Sequence, residues 1–317
     1  MTVSHFAYPK NKMFKKVSAF LMILIFLGLT GMLLCFPDKA LVYALSALDL
    51  WYEKMIPALL PFMILSGILL RMDLARPLAS FFRPIFGPFF RLNDSCLFVI
   101  VFGFLCGFPM GARLCADMLR QKMLTKKQAQ FLLSFCNNIG PVYIIGYAAP
   151  LLHISNTAYL LTGIYGIPFL YGIFNRYTFY RSLNSEASVL YKKSQNALSF
   201  LSAFNQSVLA SLDSITALGG YMIFCSVLKL IPSVFLKNPL FLEICAGLLE
   251  IGNGISQMKL TPEWLIWGLL TFGGLSCIAQ TCSCIQDTGL SVRKYVFDKI
   301  IQATLVSLWF YLPVLLQ

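Results

Sequence analysis

The sequence predicts an all-α polytopic membrane protein: about seven transmembrane helices plus two re-entrant helical hairpins, arranged as inverted repeats. Three observations carry this. First, hydrophobic residues make up 58% of the 317 and charged residues only 12%, against about 25% charged in a soluble domain. Second, two apolar runs are interrupted, by G-F-L-C-G-F-P-M-G at 103–111 and G-L-L-E-I-G-N-G at 247–254. Each is followed about thirty residues later by another interrupted run, S-F-C-N-N-I-G-P at 134–141 and F-G-G-L-S-C-I-A-Q-T at 272–281. Broken helices in corresponding places of two halves point to a carrier's central site. Third, the basic residues are unevenly shared between the loops.

The elements follow in order. Residues 17–36 carry no charge and are long enough to cross a bilayer. They follow a basic tail, as a signal sequence does. The run is nevertheless too long for a signal core, and Cys35-Phe36-Pro37-Asp38 is no small-x-small cleavage site, so 1–37 reads as a tail and a retained anchor. Further runs lie at 55–70, 95–111 (broken), 128–149, 156–174, 203–228, 240–256 (broken), 263–285 and 300–316. If both broken runs return to the side they entered, seven segments cross. That threading puts twenty of the 25 Lys and Arg on one side, leaving Lys39, Lys54, Lys229, Lys237 and Lys259 on the other. The positive-inside rule then sets the N-terminus in the cytoplasm and the C-terminus outside. The repeats span 38–195, with a hairpin near 95–127, and 196–317, with a hairpin near 240–262. Residues 60–70 (L-P-F-M-I-L-S-G-I-L-L) weakly resemble 219–229 (G-G-Y-M-I-F-C-S-V-L-K), and the threading runs these two helices in opposite directions.

Candidate site residues lie at the interruptions. Glu250 is the only charge between Ile244 and Met258. A carboxylate there costs about 2.5–3.5 kcal/mol to insert, so it faces a polar cavity or a partner. Asn137 and Asn138 precede Gly140-Pro141, where the proline removes a backbone donor and frees a carbonyl; Ser134 sits just before them. Gly107, Pro109 and Gly111 permit a sharp reversal, after which a helix beginning at Ala112 exposes unpaired N–H groups to an anion. Arg113, in its first turn, is either a carboxylate contact or a positive-inside loop charge. Asn253, Ser276 and Gln280 add neutral hydrogen-bonding groups near Gly252, Gly254, Gly273 and Gly274. Asp213, Asp287 and Asp298 read as solvated or capping residues.

The pattern also excludes classes. The net charge of +12 is spread over short loops with no nucleic-acid motif beside it. The ten cysteines lie almost wholly inside apolar runs and behave as small core residues. Cys277-x4-Cys282-x-Cys284 lacks the paired spacing and nearby histidine of a zinc site. No nucleophile elbow, Walker or dinucleotide pattern is present, so the chain does not read as an enzyme and no cofactor or metal is expected.

Five stretches together carry a resemblance: G-F-P-M-G-A-R-L (107–114), M-L-T-K-K-Q-A (123–129), L-L-S-F-C-N-N-I-G-P (132–141), L-L-E-I-G-N-G (248–254) and F-G-G-L-S (272–276). They resemble the YlbJ-type sporulation integral membrane proteins of the nucleoside-recognition (gate) domain superfamily, itself distantly similar to concentrative nucleoside transporters. Where the family pattern carries Thr, this chain has Gly252. The resemblance implies a bacterial multi-pass carrier with a midplane site for a small nucleoside-like or dipicolinic-acid-like solute. A bare Glu250 carboxylate would repel a dianion, whereas a protonated or cation-bound Glu250 would not, and this points to a coupling proton or sodium ion. The resemblance also implies placement in the cell membrane or the outer forespore membrane. A homo-oligomer is compatible with it, and the alternative is a non-transporting scaffold or assembly factor in sporulation.

Overall fold

The structure, a computed structural model, describes residues 12–154, 156–183 and 199–315. Helix α1 (Lys12–Cys35) takes up the first apolar run. Pro37 then opens a new helix at a position where its missing N–H costs nothing. This α2, Pro37–Arg71, is 35 residues long and starts well before the apolar run at 55, because Asp49, Glu53 and Lys54 end a hydrophobic stretch without ending a helix.

Next come α3 (Ala75–Phe90), α4 (Asp94–Cys106), α5 (Met110–Arg120), α6 (Lys126–Leu133), α7 (Pro141–Leu151) and α8 (Thr157–Tyr177). The second half holds α9 (Phe200–Phe235, turning at Leu228–Lys229), α10 (Pro239–Leu249), α11 (Ile251–Gly254, with a 3-10 turn to Gln257), α12 (Glu263–Phe272), α13 (Gly274–Ile285) and α14 (Val292–Leu315). Three π-turns interrupt these helices, at Trp51–Met55, Ile144–Ala148 and Thr162–Gly166. Each ends two residues before a proline: Pro57, Pro150 or Pro168. The proline ring crowds the carbonyl four residues back (Glu53, Gly146, Ile164), and a widened turn relieves that contact without ending the helix.

Apart from α3, which has no counterpart in the second half, one succession occurs twice: a long helix (α2, α9), a pair of short helices (α4–α5, α10–α11), a helix broken near its middle (α6–α7, α12–α13) and a closing helix (α8, α14). The long helices pack on each other in opposite directions. Ser226 donates to the Tyr43 carbonyl (2.8 Å), Trp51 Nε1 to the Ile215 carbonyl (2.8 Å) and Arg71 to Ser207 Oγ (3.2 Å), so early α2 meets late α9 and the reverse. The two weakly similar stretches fall on these helices. Helix α4 is buried from Ser95 to Val101, as expected of a helix apolar all round, and α3 meets it at 94°.

Apolar side chains face outward along several helices, among them Ile25 (69% exposed) and Leu209 (64%). Such faces need a lipid partner, and the protein is a multi-pass membrane protein. By length and composition, four helices can span (α2, α8, α9 and the joined α12–α13), or five if α3–α4 is one bent span. That is fewer than the seven expected. The halves α6 and α7 are each too short to cross alone, and α14 carries Arg293, Lys294, Asp298 and Lys299 near its start, which lowers its hydropathy there.

The basic loops meet at one end of the molecule. Lys127 donates to Ser182 Oγ (2.6 Å), Arg120 to the Gln286 carbonyl (3.0 Å), and Lys294 lies 4.5 Å from the Tyr180 ring centroid. Lys10, Lys192 and Lys193 lie outside the described residues. Two lysines depart from the loop assignment: Lys229 and Lys299 are interior, at 2% and 0% exposure. Asp298 is likewise buried and accepts from the Tyr171 hydroxyl at 2.7 Å, so it is not a solvated residue.

Arg176 closes the basic end. Its guanidinium donates to the carbonyls of Phe90 (2.7 Å), Tyr180 (2.9 Å) and Leu183 (2.9 Å). Arg176→Met should leave these without their donor and destabilise by about 2–3 kcal/mol. Thermal melting in detergent reads this, and an unchanged midpoint would mean that water replaces the guanidinium.

Candidate functional site

The first hairpin, α4–α5, straddles the break between α6 and α7. Helix α4 stops at Cys106, and Gly107 (φ +83°) turns the chain. A Cβ on Gly107 would collide with the Gly140 backbone, and one on Gly103 or Gly111 with the Cys136 carbonyl. Only glycine allows this approach. Within the break, Asn137 Oδ1 accepts from the Ala112 N–H (3.2 Å), while its Nδ2 donates to Thr281 Oγ1 (2.9 Å) and the Tyr295 hydroxyl (3.0 Å). Asn138 donates to the Phe135 carbonyl (2.7 Å) and accepts from Lys299 Nζ (2.8 Å).

The second hairpin breaks at Glu250, not at Gly252 or Gly254, which lie inside α11. Glu250 is extended and caps α11: one carboxylate oxygen accepts from the Gly252 N–H (2.9 Å), the other from the Asn253 N–H (2.7 Å). A carboxylate suits this place because a helix start offers unpaired N–H groups. Asn253 donates to Ser46 Oγ (2.9 Å) and Ser226 Oγ (3.0 Å) and accepts from Lys229 Nζ. Gly273 (φ +88°) and Gly274 (φ +71°) open the break between α12 and α13. A Cβ on Gly274 would lie 2.9 Å from the Gly247 carbonyl oxygen, so this break rests on the second hairpin as the first break rests on the first. The halves join where the Tyr143 hydroxyl donates to the Gly252 carbonyl (2.7 Å).

Between the two tips lies a cavity walled by Phe108, Tyr143, Glu250, Ser276, Cys277 and Gln280, with Met55, Leu218 and Met222 of the long helices closing it. Two more cavities continue it. One shares Leu218 and Gln280 with it and opens toward Arg113, Asp117, Arg120 and Asp213 at the basic end. The other shares Met55, Ala58, Val142 and Tyr143 and opens beside Glu53, Lys54 and Tyr147. The three cavities adjoin one another, meeting at Leu218 and Gln280 on one side and at Met55, Ala58, Val142 and Tyr143 on the other.

Of the residues singled out from sequence, Glu250, Ser276 and Gln280 line the central cavity. Ser276 Oγ is buried without a hydrogen-bond partner among the described residues. Ser134, Asn137, Asn138 and Asn253 sit behind the wall in satisfied networks; Ser134 Oγ donates to the Phe131 carbonyl (2.6 Å). Arg113 faces the basic-end cavity, paired with Asp117 (3.5 Å) and donating to Ser214 and the Ala210 carbonyl. Its helix begins at Met110 rather than Ala112, and the Ala112 N–H expected to meet an anion is taken by Asn137. Gly252 has no room for a threonine without a shift: a Cβ there would stand 2.8 Å from Glu250 Oε1. Among the described residues no three His, Cys, Asp or Glu side chains converge as a metal site.

Sequence reasoning missed Lys299, Lys229, Phe108 and Tyr143. The last helix gave a signal: Tyr295, Asp298, Lys299, Gln302, Val306 and Phe310 recur at helical spacing, and all are buried.

The chain is similar to the sporulation integral membrane protein YlbJ of Bacillus subtilis (strain 168), at 23% identity over an alignment of 335 residues that covers 93% of this chain and 82% of that protein. This supports the YlbJ-type resemblance. No protein-family profile matches the chain, and no solved structure matches it.

Proposed function

We propose that this protein is a secondary carrier for a small polar or aromatic anionic solute, nucleoside-like or dipicolinic-acid-like. It works by alternating access, moving the hairpin-bearing parts against the two long helices. The observation that carries this reading is a central cavity lined by both hairpin tips and by residues beside both breaks, with an adjoining cavity on either side. Helices broken at a cavity leave backbone groups unpaired by the helix, and these can bind a solute where a continuous helix cannot. The recurring element order and the antiparallel long helices support inverted repeats. The clustered basic residues favour a cytoplasmic N-terminus and an outer C-terminus. A sporulation role rests on the name of the Bacillus relative, and placement in the outer forespore membrane rests on the resemblance to the YlbJ-type family alone.

Vesicles containing the purified protein test this by counterflow of nucleosides and pyridine-2,6-dicarboxylate under proton or sodium gradients. Glu250→Gln and Gln280→Leu should each cut the rate at least roughly tenfold, the effect of losing one good polar contact. Wild-type vesicles that exchange none of these solutes would sink the carrier reading and leave the scaffold reading in its place.

A further inference from the structure

We propose that Lys299 selects the charge of the solute, meeting its anionic end once the Phe108 ring that now covers the ammonium moves aside. This rests on the carrier reading and adds to it the group that recognises the anion.

Among the described residues, neither of the two buried ammoniums near the cavity is bonded directly to a carboxylate. Lys229 is held by Asn253 and lies close enough to Glu250 to feel its charge, so these two offset each other. Asp298 lies close enough to Lys299 for each to feel the other's charge, but its carboxylate turns to the Tyr171 hydroxyl on the face toward α8 and makes no direct contact with the ammonium. Lys299 is completely buried, and among the described residues no carboxylate lies within ion-pair distance of it. Its partners are neutral: Asn138 Oδ1 at 2.8 Å and Gln302 Oε1 at 3.4 Å. Both amides are fixed with their oxygens toward the ammonium, because Asn138 Nδ2 donates to the Phe135 carbonyl and Gln302 Nε2 to the Ser134 carbonyl.

An ammonium has three donors. Among the described residues the third finds only the Phe108 ring, whose centroid is 4.9 Å from Nζ. Phe108 also lines the central cavity, so the ring stands between solute space and charge. It rests against Gly273, where a side chain would stand about 3.0 Å from the ring. A cation facing a ring is held more weakly than one hydrogen-bonded to a carboxylate. A bound anion therefore gains by displacing the ring, and a neutral solute does not. Because Phe108 belongs to the first hairpin's turn, the displacement acts on the hairpin itself.

The test is thermal stability of the purified full-length protein in detergent, with pyridine-2,6-dicarboxylate and benzoate set against their neutral amides. The carboxylates should stabilise the wild type and the amides should not. Lys299→Met should require at least about thirtyfold more carboxylate for the same shift, whereas Lys299→Arg should stay within severalfold of wild type. A strut role alone would lower the ligand-free midpoint and leave the preference for carboxylate over amide intact, which overturns the proposal. Equal stabilisation of the wild type by acid and amide, or none by either acid, also overturns it while leaving a carrier of neutral solutes open to the counterflow assay. If Lys299→Met does not fold, Phe108→Leu decides: removing the cover should tighten carboxylate binding severalfold, and unchanged or weaker binding rejects the proposal.

Discussion

Gly111→Val is expected to abolish folded protein, and Gly111→Ala to leave only a small monodisperse fraction after detergent extraction. A Cβ on Gly111 would run into the Cys136 carbonyl and stand 2.8 Å from Asn137 Cα. These are backbone atoms that cannot rotate away, so α5 would have to retreat from the break. That retreat would pull the Ala112 N–H from Asn137 and unseat Gly107 from Gly140. Gly220→Ala is the matched control. It lies in α9 with nothing within 4 Å of its would-be Cβ, and alanine there should be neutral or stabilise by up to about 1 kcal/mol. Equal yields of the two alanine variants would mean that the first hairpin does not need its close seat.

The two breaks and two hairpins are legible because each requirement leaves a residue in the sequence. A turn at positive φ leaves Gly107, Gly273 or Gly274, and a restart without a donor leaves Pro141. The partner of each polar group is not legible. Asn137, Asn138 and Asn253 stand out as polar residues among apolar ones, but intramembrane rarity is the same for a ligand and a strut. Only the contacts separate Glu250, Ser276 and Gln280, which face the cavity, from the asparagines behind them. Lys229 and Lys299 read as loop residues because each lies at the edge of an apolar run. Helical continuity past that edge carries them inside.

The asparagine that acts as a strut gives the second large effect. Asn137→Leu should destabilise by about 3–5 kcal/mol, because three groups depend on this amide and each buried polar group left unmatched costs about 1–3 kcal/mol. The Ala112 N–H would lose its acceptor, and Thr281 and Tyr295 would keep only their long 3.4 Å contact with each other. Leucine is no smaller than asparagine, so the loss would be polar and not a cavity. Those contacts join the first hairpin, the first break, α13 and α14, so the unfolding midpoint should fall for the whole protein. Asn137→Asp separates strut from ligand. It keeps the acceptor for Ala112 but cannot donate to Thr281 and Tyr295 when ionised, so it should retain part of the stability. An Asn137→Leu protein that melts like the wild type but no longer exchanges solute would return this residue to the binding site.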